Sequence, residues 1–339
     1  MKKLSLILAG LLTIAVWQPK IAYSLDLKLS VETPPRHVRN RAAAKWAEEV
    51  GKQSNGAIKI QVFPSAQLYK SSGAGKALAS GALDMSIQAN TTYSRFESNL
   101  SVINLPMAYG AKRSEIRAIL DGPNGQELWG KVSKKLRVHI PGNHFEYAPA
   151  NMAFTTNKPI RSYADLKGVK LATPPSPVLV EALRAMGANP VPTRRSEVTL
   201  HLTQGQIDGL GLVTDFTITG GKFWDAGIKY GLKDNAGWGA YIPLISQKVW
   251  DGLNGGQKKA LTAGWESAKS YARKLTESEL GNAIAANKKN GVQYWVPSPQ
   301  EVAAMKKKLL AAQDIIVKKT RMDAAFVARV QKQLNELQR

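Results

Sequence analysis

Cysteine is absent from all 339 residues, and only four histidines occur: His37, His139, His144 and His201. The first absence excludes a disulfide framework, a thiol nucleophile and any thiolate metal site. The histidines form no H-E-x-x-H pair, and His139 and His144, five apart on an extended segment, would face opposite ways. No metal and no other cofactor is therefore expected. Beyond the N-terminus no apolar run approaches the roughly 20 residues needed to cross a bilayer. The common chemical motifs are missing too. There is no G-x-S-x-G elbow. "SSGAGKALAS" has Lys70 where a phosphate loop needs its first glycine and Ala77 where it needs a hydroxyl. "DGLGLVTD" offers Gly209 and Gly211 without the third glycine of a dinucleotide fingerprint. The chain is not expected to be an enzyme. The alternative is an exported hydrolase or other periplasmic enzyme, in which scattered carboxylates such as Glu146 and Asp215 would have to meet as an acid/base pair.

Acidic residues are also in short supply, 25 against 47 lysines and arginines, for a net charge of +22. The longest basic run is Lys306-Lys307-Lys308, so the charge reads as a solvated basic surface and no nucleic-acid partner is expected. What the N-terminus does contain is informative. Met1-Lys2-Lys3 is a basic start, "LSLILAGLLTIAVW" is an apolar run, and Ala22-Tyr23-Ser24 places small residues for cleavage. Residues 1–24 are read as a signal peptide, so the mature chain is expected to be exported.

The length favours two domains. From Leu25, "LDLKLSVE" alternates as a half-buried strand, Val38, Ala42, Trp46 and Val50 recur at helical spacing, and "AIKIQVFP" is a second strand. This β-α-β unit continues through a helix near Gly75 into "ALDMSIQAN", the pattern of a parallel, helix-covered sheet. After a helical region over 114–135, "RVHIPGNHFEYAPANMAFTTN" is extended enough to cross into a second α/β pattern built from "GVKLATP", "PVLVEALRAMGA", "NPVPT", "SEVTLHLTQG" and "IDGLGLV". Residues 256–291 contain no proline. As one helix at 1.5 Å per residue they would reach about 50 Å, enough to span two domains. A capping box, Ser298-Pro299-Gln300-Glu301, opens a helix with Val302, Met305, Leu309 and Ile316 on one side, and a last helix presents Met322, Phe326, Val330, Leu334 and Leu337.

The succession "FPSAQLY", "LASGALDMSI", "INLPMAYG", "NKPIRSYADLKGVKL", "MGANPVPTRRSEVTLHLTQGQIDGL" and "KFWDAGIKY" resembles the extracytoplasmic solute-binding proteins of TRAP transporters, the DctP-like family. The similarity runs in order through essentially the whole mature chain. It implies an α/β, two-domain periplasmic-binding-protein fold with hinge strands and a long helix bridging both domains. One domain would comprise 25–149 plus 240–277, the other 150–239 plus 278–339. It further implies a monomeric receptor that captures a small solute, usually an organic acid, and hands it to a permease of small and large membrane subunits.

Three polar positions depart from the family pattern. Members typically carry arginine after the "KGLKI" strand, where this chain has Ala172, and another on the crossing strand, where the match is Met152. They commonly read D-G-x-E-N, and Leu212 stands at the asparagine. Together these suggest a pocket remade for a less acidic or more apolar solute, or one using cations from elsewhere. Matching loops nominate Arg36, His37, Gln88, Asn90, Tyr93, His144, Phe145, Tyr147, Thr173, Thr214, Asp215 and Phe216 as further lining. Trp224 and Trp238 could stack on a ligand, and Arg194 and Arg195 are expected to meet solvent.

Overall fold

The computed structural model describes residues 24–339, so the expected signal peptide lies outside the described residues apart from Ser24. Twelve strands are found among them. In chain order these are β1 (Leu25–Ser30), β2 (Ile58–Phe63), β3 (Met85–Ala89), β4 (Val138–His139), β5 (Phe145–Glu146), β6 (Ala150–Thr155), β7 (Lys170–Thr173), β8 (Asn189–Pro192), β9 (Gly209–Thr214), β10 (Tyr230–Leu232), β11 (Ala240–Ser246) and β12 (Gln293–Trp295).

They form two sheets. The first runs β2-β1-β3-β11-β4, with β5 also paired to β11, and the second β12-β10-β6-β9-β7-β8. The reading of the first sheet as parallel needs correction, because each sheet contains one strand of opposite direction. β11 is antiparallel to β3, β4 and β5, and β6 is antiparallel to β9 and β10. The reason is connectivity. β6 arrives directly from the first sheet and β11 directly from the second, without the helical crossover that parallel neighbours require. Pro190 and Pro192 lie on β8, at an edge where the missing N–H groups are least needed.

The two crossings lie side by side. The Tyr147 N–H donates to Gly239 O (3.1 Å) and the Ala150 N–H to Gly237 O (2.7 Å). Gly239 is required here, since a Cβ would stand 1.7 Å from the Tyr147 ring.

Residues 256–291 do form one helix, Gly255–Lys289, opened by Asn254 accepting from the Gln257 N–H. Near its start Ala260, Leu261, Trp265 and Ala268 pack on the helix Val38–Gln53, whose buried stripe is Val38, Ala42, Trp46 and Val50. The Trp46 indole donates to Leu261 O (2.9 Å). Gly264 sits where Val50 approaches so closely that a Cβ would meet it at 2.6 Å, which explains a glycine inside a helix. Toward its end, Asn287 accepts from Thr219 of the helix Asp215–Gly221 beside the second sheet (2.9 Å). The helix thus fastens to both halves.

The C-terminal region departs from expectation in two ways. The helix opened by Ser298 stops at Leu310, so Ile316 belongs to a separate helix, Gln313–Lys319. The last helix, Ala324–Leu337, does not join the second half. Phe326, Val327, Val330 and Leu334 enter the core formed with Leu100, Ile116, Ile119 and Trp129 of the first, because that is where a matching apolar surface is available. Leu337 is exposed.

Candidate functional site

A cleft of about 520 Å³ opens between the sheets at the carboxyl ends of their parallel strands, the usual ligand position in such folds. Six of the expected residues line it: His37, Tyr147, Ala172, Thr173, Leu212 and Thr214. Ala172 and Thr173 end β7, while Leu212 and Thr214 end β9. Thr173 Oγ is buried and without a hydrogen-bond partner among the described residues.

The other nominated residues lie elsewhere, each for a local reason. Arg36 is exposed at the rim, where its guanidinium donates across to Gly220 O (3.4 Å). Gln88 is buried and donates to Ser86 Oγ (2.7 Å). Asn90 donates to Leu100 O (2.7 Å) and accepts from the Ala240 N–H (3.1 Å), fixing a crossing. Tyr93 is buried against Gly75. Phe145 packs between Tyr241 and Trp265. Asp215 is a buried anchor, accepting from Asn151 (2.9 Å), Asn287 (3.2 Å) and the Tyr294 hydroxyl (2.5 Å). Phe216 and Trp224 are half-buried outside the cleft. His144 is buried beside Glu146 and Asp121. Met152 and Trp238 line a smaller cavity of about 40 Å³ adjoining the cleft, to which Tyr147 and Leu212 also contribute.

Three principal residues of the cleft are ones the loop matching missed: Arg39, Arg195 and Tyr241. Arg39 lies in the first turn of the helix Val38–Gln53 and is 3 % exposed. Its guanidinium stands 5.1 Å over the Tyr241 ring, with Glu32 at 4.0 Å and Thr33 Oγ at 3.4 Å. Arg195 comes from the other half, on the short helix Arg195–Glu197. The expectation of solvent holds for Arg194 but not for Arg195, which turns inward over Phe223 (5.9 Å). Burial lowers its pKa, and no carboxylate lies within 4 Å of it among the described residues. Tyr241 forms the wall between them, 4.7 Å from Tyr147 and 6.0 Å from His37. No local pattern marks these residues. Two adjacent arginines look alike in sequence, and only the turn of a short helix sends one outward and one inward.

His37 caps its helix by accepting the Arg39 N–H at Nδ1 (3.1 Å), which requires an unprotonated nitrogen there. Burial, with Arg39 and Arg195 adding repulsion, holds its pKa well below 6.5. Burial likewise lowers His139, stacked on Trp250, to about 4, and lowers His144, with Arg273 contributing. Asp234 moves the other way. Burial raises it to about 6, against hydrogen bonds from the Met152 N–H (3.0 Å) and the Tyr109 hydroxyl (2.9 Å).

These shifts set the pH response. Between the folded values and 6.5 the unfolded chain binds more protons at the three histidines, so their contribution is present above pH 6.5 and lost on acidification. Asp234 opposes them between 3.8 and about 6, where the folded chain holds the extra proton. A net uptake of protons on unfolding is expected near pH 5, since three histidines outweigh one aspartate. Urea titrations from pH 7.5 to 4.5 would check it, and stability unchanged or rising on acidification would refute it.

At Leu212 the backbone is left-handed, φ 54°. A leucine pays about 1 kcal/mol for this, which an asparagine would largely avoid. The conformation interrupts the β6–β9 ladder. Asn151 pairs with Val213 and Ala153 with Gly211, while between them the Met152 N–H turns to Asp234.

A family model described as bacterial extracellular solute-binding protein, family 7, DctP, matches residues 29–320. The C4-dicarboxylate-binding periplasmic protein DctP of Rhodobacter capsulatus is 26% identical over 312 residues, covering 91% of this chain and 92% of that one. The 2,3-diketo-L-gulonate-binding periplasmic protein YiaO of Escherichia coli is 25% identical over 295 residues, 85% of each. Among solved structures, the sugar acid binding protein DctPAm of Advenella mimigardefordensis in complex with galactonate superposes with a TM-score of 0.84 at 20% identity, covering 92% of this chain and 98% of that one. A TRAP periplasmic solute-binding protein from Sulfurospirillum deleyianum with bound succinate gives 0.80 at 24%, covering 91% and 98%.

Proposed function

The chain belongs to the DctP family of bacterial extracellular solute-binding proteins, and on that premise we propose that it is the periplasmic receptor of a TRAP-type transporter for a small organic acid. Its carboxylate sits between Arg39 and Arg195. One observation carries this reading: a guanidinium from each half converges on Tyr241, and no protein carboxylate lies within 4 Å of Arg195 among the described residues. A partly buried arginine without a close anion is costly, and a ligand carboxylate would supply one with fork geometry. The relatives are named for acids of this class. The cations lost at Ala172 and Met152 are thereby replaced from other positions on the cleft wall.

Because the cation pair is divided between the halves, an acid bound there ties them together, as in a receptor that closes on its solute. The receptor works as a monomer and delivers the acid to a permease of small and large membrane subunits. It acts by binding and not by catalysis.

The test is a panel of small carboxylic acids, each with its neutral amide, against the mature chain in a thermal melt. Acids should raise the melting temperature saturably, by the linkage of binding to stability, and amides should not. Equal effects of acid and amide, or none from any acid, would refute the reading.

A further inference from the structure

We infer that the preferred solute is a monocarboxylic acid with a short apolar tail, its carboxylate on Arg39 and Arg195 and its tail in the small cavity beside the cleft. This rests on the carboxylate reading above and specifies what lies beyond the charged head. The cavity and the cleft meet, sharing Thr91, Tyr147, Pro174 and Leu212. Two tyrosines lead from head to tail: Arg39 stands 5.1 Å from the Tyr241 ring, and Tyr241 stands 4.7 Å from Tyr147 at the cavity mouth.

The cavity wall is mainly aliphatic, from Met152, Leu179, Met186, Leu212 and Leu309, with Trp238. Most of its polar side chains are engaged within the protein, while the Thr91 and Tyr147 hydroxyls, at the mouth shared with the cleft, have no hydrogen bond among the described residues. Asn104 donates to Trp238 O (2.5 Å) and accepts from Asn90, the Tyr109 hydroxyl donates to Asp234, and the Trp238 indole donates to Ala111 O (2.8 Å). A charged or hydroxylated tail would lose its water there and find few partners.

Met152 and Leu212 give the strongest indication. They face each other at the break in the β6–β9 ladder and line the same cavity. Leucine holds a left-handed backbone at Leu212 that suits it poorly. The side chain presented to the cavity is thus retained against local preference. An apolar tail is the ligand part that gains from a leucine and a methionine placed together.

The experiment is calorimetric titration of the mature chain with straight-chain acids from acetate to hexanoate, alongside succinate and galacturonate. Affinity should rise about three- to fourfold per methylene. It should level after roughly three added carbons, since about 40 Å³ admits roughly three water-sized groups. Leu212→Asn should flatten the series, because it removes part of the apolar wall that the added methylenes would meet. Ala182→Leu, which fills the cavity from the helix Pro177–Ala185, should level it at a shorter chain. A flat wild-type series, or succinate or galacturonate binding more tightly than pentanoate, would overturn the inference while leaving a carboxylate receptor standing. Failure of every acid to bind would overturn both.

Discussion

Replacing Glu146 with alanine is expected to remove about 3–5 kcal/mol of folding stability, the cost of breaking a buried ion pair from one side. Glu146 ends β5, where the first crossing leaves its sheet, and its side chain is fully buried. Arg117 donates to it from Nε at 2.8 Å and makes a second contact through its terminal nitrogen. Arg273 of the long helix lies at 3.3 Å and Arg113 at 3.8 Å. Three guanidiniums would be left around an uncharged methyl group, with only Glu277 and Asp121 nearby among the described residues to answer them. Urea unfolding measures the loss as a lower midpoint at unchanged slope. Glu277→Ala is the control. That side chain is 51% exposed, and its removal should cost no more than about 1 kcal/mol. Equal costs for the two variants would mean that the cluster does not hold the crossing to the helix.

The second large effect separates stability from binding. Arg39→Ala and Arg195→Ala should each weaken the best acid by about 2–5 kcal/mol, roughly 30-fold to a few thousand-fold, as for one partner lost from a desolvated charged pair. Arg39→Lys should fall between, because an ammonium keeps the charge but not the fork. The unliganded proteins should behave differently from one another. Arg195 has no carboxylate within 4 Å among the described residues, so its removal relieves a desolvation cost, and the variant should be at least as stable as the parent. Arg39 has Glu32 at 4.0 Å and the Tyr241 ring beneath it, so its removal should lower stability. Calorimetric titration and melts of the free proteins check both halves of this expectation. Unchanged affinity in either alanine variant would exclude that arginine from the site.

The sequence made the periodic elements legible. Val38, Ala42, Trp46 and Val50 identify a helix because one face of it is buried, and Ser298 with Glu301 marks a helix start because the hydrogen bonds are local. The long helix was visible as a proline-free span. What remained hidden depended on distant parts of the chain. The direction of β11 follows from its arrival out of the other sheet, and the last helix lies on the first half because Ile116, Ile119 and Trp129 leave it an apolar seat. In the site, the ends of β7 and β9 could be located because strand ends face the cleft. Arg39 and Arg195 could not, since each looks like an ordinary surface arginine until Tyr241 is brought between them. Asp215 was misplaced for a related reason: a carboxylate after a strand is as well suited to holding Asn151, Asn287 and Tyr294 as to meeting a ligand.

The exchange of strands between the sheets also constrains how the molecule can come into being. β11 sits inside the first sheet, between β3 and β4, yet it is made after every strand of the second sheet except β12. Until it arrives, β3 carries an open edge and β4 has no neighbour to hold it. The first half therefore cannot settle as an autonomous unit while the chain is emerging, and its completion waits on contacts between residues far apart in sequence, which form slowly. A chain built this way stays unfinished until most of it is available, and its two halves mature together.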